Sequence, residues 1–281
     1  MHLFLRDLFQ HDFLQYALLT GILASVSCGV IGSFVVVRRI TYLAGGIAHS
    51  VLGGLGAALY VQKSYDWPAF DPLYGAIAAA LIAALIIGMV SMRAREREDT
   101  VIGALWAVGM AMGVLFISQT PGYSTDLMSY LFGSILMVSP QELWLLVALD
   151  VLVLVTAIVF YNQFVAVSFD DEFALLRGLR VEVYYLLLLC LTALTVVVLV
   201  TVVGIIMVIA LLTLPAAIAG FFSRSLHHMM ALAAILCVLF TTSGLVLSYG
   251  PNYPAGATTI VVAGAVYLAV LIGKRVLNPG H

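Results

Sequence analysis

Charge is scarce in this chain: 9% of its 281 residues are Asp, Glu, Lys or Arg, against 63% that are hydrophobic. Soluble globular domains carry about 25% charged residues. With a mean hydropathy of +1.14, the composition excludes a water-soluble domain and specifies a polytopic membrane protein. Neither sign of charge is in surplus, since twelve basic and fourteen acidic residues leave a net charge of −2. That balance gives no basic surface for nucleic acid. Cysteine is also rare. Cys28, Cys190 and Cys237 stand alone in apolar runs, form no C-x-x-C pair, and read as small packing residues. No G-x-x-x-x-G-K-[ST] stretch occurs, so any ATP used with this chain is hydrolysed by another subunit. Neither H-E-x-x-H nor a serine-histidine set is present, which counts against a membrane enzyme.

What the chain has in abundance is apolar runs. Crossing a ~30 Å hydrocarbon core takes about 20 apolar residues. Runs of that length fall at 13–37, 44–61, 72–92, 100–118, 140–161, 184–203, 205–222, 229–249 and 255–273. The first is too long for the ~7–15-residue core of a cleaved leader and lacks a clear small-x-small cleavage site, so it is expected to be a retained span. Residues 1–12 mix aromatic, aliphatic and charged side chains and predict an interfacial segment. The unbroken run from Tyr184 to Phe222 would reach ~58 Å as one helix, so it must turn, and Thr201 to Gly204 is the expected place. Pro215 predicts a kink or break near Leu211. The expected architecture is an all-α membrane bundle of eight or nine spans, in one transmembrane domain covering 1–281.

Five connections, at 38–39, 93–99, 163–183, 223–228 and 274–275, hold every Lys and Arg except Arg6 and Lys63. Placing those connections in the cytoplasm satisfies the positive-inside rule, with nine spans, the N-terminus outside and the C-terminus inside. On the outer side, 119–140 is too apolar for a plain loop and too short for another crossing, which predicts a re-entrant or interfacial piece.

Two stretches carry chemistry. In the second span, helical period brings Tyr42, Gly45, Gly46, His49, Gly53 and Gly56 near one face. That face is nearly bare backbone with one imidazole, a good ligand for a transition metal. The alternative is that the glycines only pack helices and His49 bonds a neighbouring carbonyl. The second stretch lies in the 163–183 loop. Ser168 with Asp171 resembles a capping box, the acids Asp170, Asp171 and Glu172 suit a helix N-terminus, and Gly178 suits the C′ position. A short helix with Phe169, Phe173 and Leu176 on an apolar side and Arg177 and Arg180 as cations is more than a connector needs, and reads as a docking element for a cytoplasmic partner. Deep in the fifth span, Asp150 is either a contact on a cation path or a private hydrogen bond. Asp126 near the outer mouth can attract a cation, whereas Glu142 reads as a helix-start acid.

These residues resemble the metal-type (zinc and manganese) permeases of ATP-binding-cassette importers. The matching stretches are Gly32 to Arg39, Ile47 to Ser50, Asp126 to Gly133, Phe169 to Val181, Leu214 to Ala219 and Pro254 to Gly256. They run in order over nearly the whole chain. The resemblance implies a type II importer-like fold, a homodimer of this subunit in the bacterial cytoplasmic membrane, two copies of a cytoplasmic ATPase, and an extracytoplasmic metal-binding protein that delivers the cargo. It implies that the segment containing Asp170, Asp171, Phe173, Ala174, Arg177, Gly178 and Arg180 is the coupling helix on the ATPase, and that His49 lies on the metal path. Many relatives place an aspartate four residues before this histidine, where this chain has Gly45. The missing carboxylate weakens the case for manganese and favours zinc, with iron also open. Competing readings are an ATP-independent cation transporter or channel using Asp150 as a relay, and a permease for a metal chelate.

Overall fold

The structure is a computed structural model, and it describes residues 6–93, 98–121, 133, 135–251 and 253–277. Among these residues there is no strand. The helices are α1 (Asp12–Val37), α2 (Thr41–Ser64), α3 (Pro72–Arg93), α4 (Glu98–Gln119), α5 (Pro140–Val159), α6 (Tyr161–Phe169), α7 (Asp171–Leu176), α8 (Val181–Val203), α9 (Ile205–Phe222), α10 (Leu226–Tyr249) and α11 (Ala255–Leu277). Among the described residues nine of them, α1 to α5 and α8 to α11, are long and apolar enough to cross a membrane. The expected all-α bundle is therefore found, with the higher of the two span counts.

Local chemistry explains where the helices begin. Pro72 and Pro140 occupy first helical positions, where a missing amide hydrogen costs nothing. Before α3, the Asp71 carboxylate accepts from the Leu73 amide at 2.8 Å. Before α5, Ser139 and Glu142 form a reciprocal capping box. The Ser139 amide donates to Glu142 Oε2 at 2.7 Å, and the Glu142 amide donates to Ser139 Oγ at 3.3 Å. The long run after Tyr184 turns at Gly204, whose φ of 84° and ψ of 159° suit only glycine.

Two expectations need correction. The loop 163–183 holds more than the expected short docking helix, because α6 occupies its first part, with Phe164 and Val167 fully buried. The chain turns at Phe160, and the apolar face at 164 and 167 gives a second helix something to bury. No break occurs near Leu211: α9 runs through Pro215 from Ile205 to Phe222. Of residues 1–12, the described part starts at residue 6 and is helical at 6–8. The piece at 119–140 is described at 133 and from 135 on, with a 3-10 turn at Ile135–Met137; residues 122–132 lie outside the described set.

The helices segregate into two compact units. The first takes the described residues of Met1–Val36, Leu131–Val155 and Val202–His281. Here α9, α10 and α11 pack around Ile218, Phe240 and Ala263. Glycines on α1 let it lie close to this group, since a Cβ at Gly29 would stand 2.7 Å from that of Ala234 and one at Gly32 would overlap the Leu212 carbonyl. The second unit takes the described residues of Val37–Tyr130 and Thr156–Thr201. Its centre is α2, packed between α3 and α4.

Candidate functional site

The site starts with bare backbone on α2. A Cβ at Gly53 would stand 2.8 Å from the Gly109 carbonyl, and one at Gly56 would stand 2.8 Å from the Gly113 carbonyl. At Gly46 the obstacle is the Ile102 side chain, 2.6 Å away. All three partners are on α4, so α2 and α4 touch backbone to backbone along this face. Gly45 is buried in the same helix. Beside it, Ser50 Oγ donates to the Gly46 carbonyl at 2.8 Å and crosses to the Leu105 carbonyl at 3.3 Å.

His49 sits in the middle of that contact and is only 7% exposed. Its ring stacks on Trp106 of α4, with centroids 4.2 Å apart and planes 14° from parallel. Tyr42 tilts against the same indole at 6.0 Å. His49 Nδ1 is sealed from solvent and has no hydrogen-bond partner among the described residues. An imidazole has donor and acceptor capacity at both nitrogens. A buried one with an idle nitrogen retains the capacity to hold a cation.

Asp150 belongs to the first unit and is 6% exposed. The Ser27 hydroxyl of α1 donates to its Oδ1, while Oδ2 is buried with no partner among the described residues. Asp126 lies outside the described residues. Among those described, no three His, Cys, Asp or Glu side chains gather as a ready metal cage.

The α7 element is built as a rigid projection. Asp170, not Ser168, is its N-cap: Asp170 Oδ1 accepts from the Phe173 amide at 2.9 Å. The extra turns of α6 carry the chain to Phe169, so the break in helical backbone falls two residues later than the spacing at Ser168 implied. At the other end the Gly178 amide bonds the Leu175 carbonyl at 2.9 Å and the Leu179 amide bonds the Ala174 carbonyl at 3.1 Å. With Gly178 at φ 76°, this is a Schellman ending. Ala174 is fully buried, while Phe169, Phe173, Leu175 and Leu176 are exposed, Leu176 by 88%. The Arg177 guanidinium lies 4.9 Å from the Phe173 ring centroid. Arg180 is exposed beyond the cap.

Arg38 ties this projection to the start of α2. Its guanidinium donates to both Asp171 carboxylate oxygens, at 3.0 and 3.1 Å, and to the Val167 carbonyl, and it lies 4.3 Å above the Tyr185 ring. Sequence reasoning named neither Arg38 nor Trp106 nor Ser27 as a site residue. Trp106 left one signal: it stands eight residues into its span, away from the interfacial belts where membrane tryptophans collect.

Comparison with known proteins fits this geometry. The chain is 46% identical to an uncharacterised membrane protein of Synechocystis sp., over 95% of this chain and 92% of that one. It is 34% identical to the manganese transport system membrane protein MntC of Halalkalibacterium halodurans, over 94% of this chain and 88% of that one. Among solved structures it superposes on PsaBC from Streptococcus pneumoniae in complex with Fab with a TM-score of 0.84 at 30% identity, covering 95% of this chain and 94% of that one. Together with the apolar helices, these relatives make it a multi-pass bacterial membrane protein. The model of the ABC 3 transport family matches residues 10–274, and the chain belongs to that family.

Proposed function

We propose that this chain is the membrane-spanning permease subunit of an ATP-driven importer for a divalent transition-metal ion. It works as a homodimer, with two copies of a cytoplasmic ATPase and an extracytoplasmic metal-binding protein as partners. The observation that carries this reading is α7. A helix of six residues, capped at both ends and presenting Phe173, Leu175 and Leu176 beside the exposed Phe169 of α6, is more than an isolated permease needs. A motor subunit supplies the missing surface. The relative named for manganese transport and the likeness to PsaBC support the metal cargo and the importer assembly. An ATP-independent carrier would leave α7 without a use.

On the cargo side His49 is the contact inside α2, and the free oxygen of Asp150 supports a place for it on the path. Asp126 is the proposed attractor at the outer mouth. Zinc is the favoured ion, because the donor on α2 is a nitrogen and Gly45 supplies no carboxylate one turn before it. The name of the H. halodurans relative favours manganese as the second reading.

Metal-stimulated uptake in proteoliposomes holding the chain, its ATPase and its binding protein tests this. Uptake of zinc is expected to exceed that of manganese, and His49→Ala is expected to lower it at least about tenfold, the loss that removing even an outer partner of a metal ligand brings. Asp150→Asn keeps an acceptor for Ser27 and removes a charged oxygen, so reduced uptake with unchanged thermal stability is expected. ATP-independent uptake of equal rate would refute the importer reading. For the docking surface, Leu176→Glu is expected to weaken ATPase binding by about 2 kcal/mol, the scale of an interface hot spot. Because Leu176 is exposed, the variant should leave the stability of the permease itself unchanged, and a pull-down titration with the ATPase measures the loss.

A further inference from the structure

A ligating histidine is ordinarily oriented by a hydrogen bond from its second nitrogen to a carboxylate, carbonyl or water, and losing that partner costs about 10–100-fold in metal affinity. Among the described residues His49 Nδ1 has no such partner. Its Nδ1 is buried and unbonded among the described residues, so no hydrogen bond at that atom sets the plane of the ring. What does set it is the indole of Trp106, 4.2 Å away and 14° from parallel.

The stack is forced by the backbone around it. One turn before Trp106, Ile102 fills the notch at Gly46. Next to it, the Leu105 carbonyl accepts from Ser50 Oγ, the residue after His49. Just beyond it, Gly109 lies so close that a Cβ there would stand 2.7 Å from Ser50 Cα and 3.3 Å from the His49 carbonyl oxygen. Contacts on both sides of the ring pair hold the two helices in one register. With Tyr42 against part of the indole as well, the imidazole and Trp106 have one mutual arrangement.

We propose that Trp106 is the positioning residue for the His49 imidazole, its indole face holding the ring plane in which the cargo metal ion meets it. This rests on the reading of His49 as a cargo contact and goes beyond it by placing α4 in the metal site. An imidazole held in plane by stacking needs no reorganisation when the ion arrives. It also leaves Nδ1 without a competing partner among the described residues, which suits a site that must release its cargo. Trp106 therefore contributes to affinity for the ion without touching it.

Trp67, Trp106 and Trp144 are the tryptophans of the chain, so Trp67→Phe with Trp144→Phe makes Trp106 the only indole reporter. In the full chain in lipid nanodiscs, Co2+ is the probe, because a paramagnetic ion on His49 would quench an indole in contact with that ring. Saturable quenching, abolished by His49→Ala, is expected. In the assembled transporter, Trp106→Ala is expected to raise the half-saturating metal concentration about tenfold with little change in maximal rate, and Trp106→Phe, which can still stack, to restore it. Unchanged half-saturation in Trp106→Ala, with uptake lost in His49→Ala, would overturn the role of Trp106 and leave the cargo role of His49 standing. Uptake and quenching both indifferent to His49→Ala would overturn the cargo reading, and this proposal with it. Should Trp106→Ala fail to insert, the quenching titration decides alone: no saturable quenching overturns the proposal.

Discussion

Arg38→Ala is expected to uncouple ATP hydrolysis from metal uptake. One guanidinium makes a bidentate pair with Asp171 on α7, a bond to the Val167 carbonyl on α6, and a cation–π contact with Tyr185 on α8. It sits at the joint that leads directly into α2, the helix of His49. The next residue, Arg39, has φ 60°, so the joint is sharply turned and not a continuation of helix. Hydrogen bonds to charged groups contribute about 1.5–3 kcal/mol. The Asp171 side chain is 50% exposed, which moves its pair toward the low end of that range, whereas Arg38 at 15% keeps its carbonyl and ring contacts largely out of water. Removing all of them leaves α7 capped and folded but without these ties to the start of α2. The expected result is an inserted permease that still recruits the ATPase and supports hydrolysis, with metal moved per ATP falling about tenfold, the equivalent of ~1.4 kcal/mol of lost coupling. Arg38→Lys should recover only part, because an ammonium cannot make the two-pronged bond to Asp171. The ratio of uptake to hydrolysis in proteoliposomes is the measurement. A ratio equal to that of the unaltered chain would show that α7 moves α2 by another route.

How much of this was legible in the sequence depends on the range of the interaction. The spans follow from hydropathy and length, and the turn at Gly204 follows from a run too long for the bilayer, so both could be read locally. The ending of α7 was legible because a Schellman motif is written in consecutive residues, with Gly178 at its centre. Its beginning was misplaced by two residues, since Ser168 and Asp170 are both good caps and the choice depends on how far α6 continues. That continuation is decided by burial of Phe164 and Val167, a tertiary effect. His49 stood out because a histidine in an apolar helix is rare. Its partner did not, because residues 49 and 106 are joined only by the packing of two helices, which no local pattern encodes. The pairing of Ser27 with Asp150 was hidden for the same reason.

The packing that hides those pairs gives the second large effect, at Gly54. This glycine faces α3, on the side of α2 away from the α4 contacts, and the two helices touch there through facing glycines. A Cβ at Gly54 would overlap the Gly75 carbonyl and stand 2.5 Å from the Cβ of Ala79; one at Gly75 would overlap the Gly54 carbonyl and stand 2.5 Å from the Cβ of Ala58. Because the main obstacle is backbone, no rotamer change relieves it, and α2 and α3 must separate. Gly54→Val is therefore expected at or above the top of the ~1–3 kcal/mol range for overpacking, seen as a large fall in thermal stability and in yield of inserted protein. Gly264→Ala is the contrast, since among the described residues nothing lies within 4 Å of a Cβ at that position of α11. There the better helix propensity of alanine, up to ~1 kcal/mol, is the whole effect and its sign is reversed. Gly54→Ala combined with Ala79→Gly removes one of the two obstacles and should recover stability only in part, the carbonyl of Gly75 remaining. A Gly54→Val chain as stable as the parent would mean that the helices do not meet at this point. A chain that is destabilised yet still inserts should lose uptake more steeply than stability, because α2 then moves against α4 and the ring of His49 leaves the face of Trp106.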